Sequence, residues 1–183
     1  MEIQRLDIPD VFLIKPLRRG DHRGWFSETF KASWLADQGV THPFVQDNTA
    51  FSAAKGTLRG LHFQSPPHAQ AKLVSVIQGR ILDVAVDARK GSPTYGRYVS
   101  AELDAQNGLQ IYVPAGFLHG YVTRAPDAVV QYKVSDVYAP DCDGGVLWND
   151  PDLAIDWGIA ASDAQLSAKD LNAQRFADFQ SPF

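Results

Sequence analysis

The run Arg59-Gly60-Leu61-His62-Phe63-Gln64-Ser65-Pro66-Pro67-His68-Ala69-Gln70-Ala71-Lys72 places a guanidinium, an imidazole and an ammonium close together in the chain. Thr57–Gln64 reads as a strand. Ser65-Pro66-Pro67 ends it, because proline has no N–H to give to a ladder. The apolar run Leu73–Ile77 starts a second strand at once. Two strands therefore flank a stiff turn, with a titratable ring on one and an ammonium at the start of the other. Side-chain alternation puts Leu58, Gly60, His62 and Gln64 on one face and Arg59, Leu61 and Phe63 on the other. That separates Arg59 from His62, unless Gly60 hosts a bulge that re-aims the arginine. Two readings stay open: a surface arginine beside a structural histidine, or a pair belonging to one site.

Outward from this stretch the pattern repeats. Leu73–Ile77 and Arg80–Asp87 are joined by Gln78-Gly79, a tight hairpin signal. In Arg80–Asp87, Leu82, Val84 and Val86 alternate with Asp83, Ala85 and Asp87. Tyr98–Leu103 and Leu109–Val113 flank Asp104–Gly108, where Asn107-Gly108 accepts positive φ at little cost. Tyr121–Thr123 and Val129–Tyr138 form another pair. Toward the N-terminus, Val11–Lys15 and Trp25–Phe30 read as strands, Arg18-Arg19-Gly20-Asp21 as a turn and Lys31–Gln38 as a short helix stopped by Gly39. Phe44–Phe51 reads as a strand made polar by Gln46, Asn48 and Thr49: a solvent-facing edge, or the wall of a polar pocket. At the other end Asp150–Trp157 reads as a loop. Ser167-Ala168-Lys169-Asp170 matches a helix capping box, with Ala168–Phe179 helical after it. Many short strands and little helical periodicity predict an all-β jelly-roll barrel with short peripheral helices. It forms one domain over residues 1–183, with a helical segment from about 162.

Composition bounds the function. The 183 residues are 45% apolar and 21% charged, as in a globular protein. A net charge of −4 argues against nucleic acid as a partner. The one cysteine, Cys142, allows no internal disulfide, and its acidic neighbours Asp141 and Asp143 oppose a thiolate. No apolar run is long enough for a membrane span, and Met1-Glu2-Ile3-Gln4-Arg5 lacks the order of a signal peptide. A soluble, cytoplasmic protein is expected. The five histidines include no His-x-His pair, so a barrel without metal or other cofactor is expected.

Lys55-Gly56-Thr57-Leu58-Arg59-Gly60-Leu61-His62-Phe63-Gln64 with Ala69-Gln70-Ala71-Lys72-Leu73-Val74 resembles the signature of dTDP-4-dehydrorhamnose 3,5-epimerases. So do Val84–Arg89, Ser92-Pro93-Thr94-Tyr95-Gly96, Val113–Gly120, Tyr132-Lys133, Tyr138-Ala139-Pro140 and Trp148-Asn149-Asp150-Pro151. The similarity runs from about Val11 to Asp170 in order, without a large gap. It implies a cupin, or double-stranded β-helix, fold. It also implies inversion of C3 and C5 in dTDP-4-dehydro-6-deoxy-D-glucose, giving dTDP-4-dehydro-L-rhamnose. In the roles it implies, His62 is the base, Asp170 its paired carboxylate, Lys72 the oxyanion partner and Tyr132 the acid on the far face. Arg59 and Arg23 hold phosphate, with His119 as a neighbour. Phe26, Glu28, Gln46 and Asn48 contact base and sugar, and Tyr138 packs on the pyranose. The N-terminal strands, within about residues 1–50, cross to a second subunit in a homodimer, burying Trp25.

The chemistry suits those residue types. Moving a proton beside a carbonyl needs a base titrating near neutrality, a cation at the developing oxyanion and an acid opposite the base. Imidazole, with an intrinsic pKa of about 6.5, fits the first; a phenol, at about 10, holds its proton until an enolate takes it. Asp170 also has a purely structural reading as a capping residue, compatible with the catalytic one. Three rival functions remain at this point. An epimerase acting on one carbon would use the same groups. A non-catalytic sugar-nucleotide-binding cupin needs neither base nor acid. A metal-dependent cupin oxygenase lacks its ligand pair here.

Overall fold

The computed structural model describes residues 1–183. In chain order the strands are β1 (Glu2–Arg5), β2 (Phe12–Lys15), β3 (Arg18–Asp21), β4 (Gly24–Ser27), β5 (Gln46–Ser52), β6 (Leu58–Gln64), β7 (Lys72–Gln78), β8 (Arg80–Asp87), β9 (Tyr98–Asp104), β10 (Gln110–Val113), β11 (Phe117–Thr123), β12 (Ala128–Val134) and β13 (Asp143–Gly145). The helices α1 (Ala32–Ala36) and α2 (Ala168–Leu171) are short. A six-stranded sheet, β1-β2-β10-β7-β12-β5, packs on a five-stranded sheet, β13-β6-β11-β8-β9, and all their ladders are antiparallel. This is the expected jelly-roll, cupin-type architecture.

Three apolar layers explain the order. Val74, Val76, Ile111 and Val130 of one sheet meet Ile81, Ala85, Val99 and Phe117 of the other. Leu82, Val84, Val86, Leu118 and Val122 point the opposite way, where Val146, Trp148, Leu153, Trp157 and Phe179 cover them. The C-terminal segment from Val146 onward is thus a lid over the outside of the five-stranded sheet. Its indole rings are fixed as well as buried, since Trp157 Nε1 donates to the Trp148 carbonyl at 2.7 Å. Burying each such large side chain stabilises by roughly 1.5–3 kcal/mol. On the six-stranded sheet, Phe12, Ile14, Leu73 and Tyr112 are covered by Leu35 of α1 and by Val40.

The irregularity suspected at Gly60 is present. Leu58 and Leu61, three residues apart, join the same outer cluster, with Phe63 packed against it. Arg59 and His62, also three apart, line one cavity between the sheets. Strict alternation is therefore wrong for β6: the chain slips by one residue at Gly60. The β6–β11 ladder shifts between His119 and Tyr121, opposite this point. Gly60 has φ +133, and a Cβ there would lie 2.5 Å from Gly120 Cα and 2.9 Å from the His119 carbonyl oxygen. Only glycine fits.

Three local expectations change. Arg18–Asp21 is strand β3, not a turn; it pairs with β4, and the reversal falls at His22-Arg23. The first helix spans Ala32–Ala36 rather than Lys31–Gln38. The C-terminal helix stops at Leu171, because Val146 and Gln174 form a parallel bridge and Leu147 N donates to the Gln174 carbonyl, which draws the chain out straight. A separate 3-10 turn follows at Phe176–Asp178.

Gly60→Ala is expected to lower stability by more than about 1 kcal/mol, read by thermal or denaturant unfolding. It should also displace Arg59 from the His62 side, seen as loss of site function in the fraction that still folds.

Candidate active site

The cavity draws on both sheets. From the five-stranded sheet come Arg59 and His62 of β6 and His119 and Tyr121 of β11; from the other come Lys72 of β7, Ala50 of β5 and Tyr132 of β12. Its volume is about 480 Å³, and an adjoining recess of about 360 Å³ shares His62, Lys72 and Tyr132 and adds Gln46, Asn48, Gln64, Tyr138, Asp143 and Lys169. Both lie in the size range of small-molecule sites. Gln46, Asn48 and Ala50 of β5 face inward here while Asp47, Thr49 and Phe51 stay exposed, so this strand is both a sheet edge and a pocket wall.

His62 and Asp170 form the tightest pair. His62 Nε2 lies 2.5 Å from Asp170 Oδ1. Asp170 is 3% exposed. Burial opposes its ionisation, but hydrogen bonds from His62, Ser167 and the Gly60 backbone outweigh that and hold its pKa below the ordinary carboxylate range. An ionised carboxylate only accepts, so His62 Nε2 carries the hydrogen and Nδ1 is the free ring nitrogen. Ser167 Oγ caps α2 by accepting from Asp170 N at 3.2 Å, and it donates to Asp170 Oδ2 at 2.8 Å. The capping and pairing readings of Asp170 thus hold together. Pairing of Thr57 with Gln165 ties this segment to the start of β6.

Across the cavity, burial pushes the Tyr132 phenol upward, opposed in part by Arg59, so it keeps its proton at neutral pH. Tyr132 sits in register with Asn48 on β5 and Val74 on β7. Burial pushes Lys72 down to about 8, against the pull of Asp83 and Asp143. Arg59 donates to the Phe51 carbonyl at 3.0 Å, which uses only part of its five N–H donors. Gln46 Nε2 donates to Asn48 Oδ1 at 2.8 Å, and Tyr138 N donates to Gln46 Oε1 at 3.1 Å. His119 Nε2 lies 3.0 and 2.9 Å from the two carboxylate oxygens of Asp83.

Arg23, Phe26 and Glu28 are not brought to this cavity within the chain. They are exposed, on or beside the β3–β4 hairpin, and Arg23 pairs with Asp21 at 2.6 Å. Tyr121, Asp143 and Lys169 line these spaces, and Asp83 lies buried behind His119; the sequence pattern did not single out any of the four. Asp143 and Lys169 form an ion pair at the rim. No group of three or more His, Cys, Asp or Glu side chains is placed to hold a metal ion.

A ring nitrogen backed by a carboxylate, a protonated phenol and an ammonium, drawn from two facing sheets, make a site of the proton-transfer class. The family model for dTDP-4-dehydrorhamnose 3,5-epimerase matches residues 5–178. A curated dTDP-4-dehydrorhamnose 3,5-epimerase from Sinorhizobium fredii is 50% identical over 157 residues, covering 86% of this chain and 80% of the relative. The crystal structure of the corresponding enzyme from Elizabethkingia anophelis superposes with a TM-score of 0.93 at 45% identity, covering 97% of each chain. That of a dTDP-6-deoxy-D-glucose-3,5-epimerase from Legionella pneumophila, in complex with dTDP-4-keto-L-rhamnose, gives 0.93 at 42%, covering 98% of this chain and 94% of the other. The chain belongs to the dTDP-4-dehydrorhamnose 3,5-epimerase family, and it is an isomerase.

Lys72 is expected to titrate near pH 8, about two units below a free lysine. Nitrogen NMR of its Nζ would show this directly; a midpoint above 10 would contradict the enclosure described.

Proposed function

We propose that this chain inverts C3 and C5 of dTDP-4-dehydro-6-deoxy-D-glucose, giving dTDP-4-dehydro-L-rhamnose, by proton removal on one face of the ring and return on the other. The observation that carries the reading is that His62 and Tyr132 reach one cavity from opposite sheets. The C4 carbonyl acidifies the C–H bonds at C3 and C5. His62 takes a proton from one of these carbons, and the Asp170 carboxylate stabilises the imidazolium that forms. The enolate oxygen is held by Lys72, which carries its charge below about pH 8. Tyr132 delivers a proton to the same carbon from the far side. His62 then loses its proton to solvent and Tyr132 regains one, and the cycle repeats at the second carbon. Each positioned acid or base of this kind contributes about 10²–10⁴-fold.

The nucleotide end is served by Arg59, with His119 beside it, and by Gln46, Asn48 and Tyr138 in the adjoining recess. Arg23, Phe26 and Glu28 act in the site of a second copy, so the working unit is a homodimer with exchanged N-terminal strands. What supports this is their exposure: Phe26 is 68% exposed, and Trp25, 58% exposed, lines one cleft with the open Ile77 of the six-stranded sheet. Large apolar surfaces of this kind mark interfaces.

Turnover in deuterium oxide is expected to place label at both C3 and C5; label at one carbon alone would make this a single-carbon epimerase, and none would leave a binding protein. His62→Ala is expected to cut turnover by at least about 10²-fold while dTDP still binds, as calorimetry would show. Tyr132→Phe should retain exchange of the substrate hydrogens and lose completed inversion. Arg23→Ala should weaken dTDP binding about tenfold or more, the loss of one charge-assisted hydrogen bond, without dissociating the dimer in sedimentation.

A further inference from the structure

Asp83 is the deepest charge in the molecule near the site, at 0% exposure. The proton transfers above do not use it. It stands on β8 directly across from Tyr121 of β11, and His119, two residues before Tyr121, is paired on its other side with His62 of β6. One row of strands thus runs from the base, through His119, toward the buried acid. Both Asp83 oxygens lie within 3.0 Å of His119 Nε2, and this ring is its one hydrogen-bonding side-chain partner.

We propose that Asp83 is a positioning residue: it fixes His119 as the Nε2–H tautomer, presenting Nδ1 to the cavity as an acceptor, and it supplies the buried negative charge that balances the Lys72 ammonium. A carboxylate in the interior without a countercharge is costly. His119 does not supply one, because burial, with Lys72 and His62 nearby, disfavours its charged form despite Asp83. The remaining candidate is Lys72, which lines the same cavity as His119, the ring that Asp83 holds. The charged groups that act on Lys72 are Asp83 from β8, Asp143 from β13 and Lys169 from α2, with His119 and His62 beside them. Asp143 is already paired with Lys169 and accepts from Tyr138, so its pull on Lys72 is largely offset. Asp83 has no such cation of its own. A neutral His119 with a free Nδ1 then accepts a hydrogen bond from a donor on the bound ligand, such as a sugar hydroxyl, and does not act as a phosphate-binding cation. That refines the part given to His119 by family resemblance.

Two measurements test this, the second resting on the proposed epimerase reading. Nitrogen NMR of the histidine rings in the unaltered protein, assigned with a His119→Asn variant, is expected to show Nε2 protonated and Nδ1 bare at pH 7 and above. A protonated Nδ1 at pH 7 would overturn the proposal. This needs no substrate, so a chain inactive on the sugar nucleotide would sink the epimerase reading alone. Asp83→Asn keeps an acceptor for Nε2 but removes the charge. Its kcat/KM profile is expected to lose its alkaline limb at a pH lower by on the order of one unit, as Lys72 gives up its proton sooner. A variant that is slower with its limb unmoved would show a merely structural role and reject the charge balance. If Asp83→Asn does not fold, the ring-nitrogen measurement decides.

Discussion

The hydrogen bond from His62 Nε2 to Asp170 joins the two parts of the chain that make the site. His62 lies on a central strand, and Asp170 lies more than a hundred residues later, in a segment that covers the outside of the same sheet. For the two to meet, the C-terminal segment from Val146 onward must lie over Leu58, Leu61 and Leu118, and its tryptophans and Phe179 must be buried there. The lid that stabilises the sheet is therefore also what places the carboxylate. Capping of α2 by Ser167 fixes the last degree of freedom, since the same hydroxyl accepts from the Asp170 backbone and donates to its side chain.

A polar cavity between two apolar sheets is expensive unless its groups satisfy one another. Here the satisfaction is unequal, and the inequality has functional content. Asp170, Asp83, Gln46 and Gln64 have protein partners and are held still. His62 and Tyr132, by contrast, line the open cavity itself. Burial raises the phenol, so that it keeps its proton at neutral pH, and lowers the ammonium to about 8, nearer to neutrality. The same desolvation that costs stability thus tunes the reactive groups.

Much of this was legible in the residues. The proline break after Gln64, the Gln78-Gly79 hairpin and the polar Gln46–Thr49 run each led to the right element or wall. Arg59 with His62 was half legible: glycine between them suggested a slip, but alternation alone put them apart, and the close approach of Gly120 is a tertiary fact. Asp83 was not legible as a site residue. In Arg80–Asp87 an acid alternating with Leu82 and Val84 looks like the wet side of a half-buried strand. Both faces of that strand are in fact covered, one by the lid and one by the opposite sheet. Likewise Ala168–Phe179 has helical composition, and pairing of Gln174 with Val146, distant in sequence, overrides it. What local pattern missed was in each case decided by which layer packs on which.

The most direct test of the account is a crystal structure of this protein with a dTDP-linked 4-keto sugar bound. It should show the pyranose between His62 Nδ1 on one face and the Tyr132 hydroxyl on the other, with the C4 oxygen toward Lys72. A sugar seated with both groups on the same face, or held outside the cavity between the sheets, would contradict it.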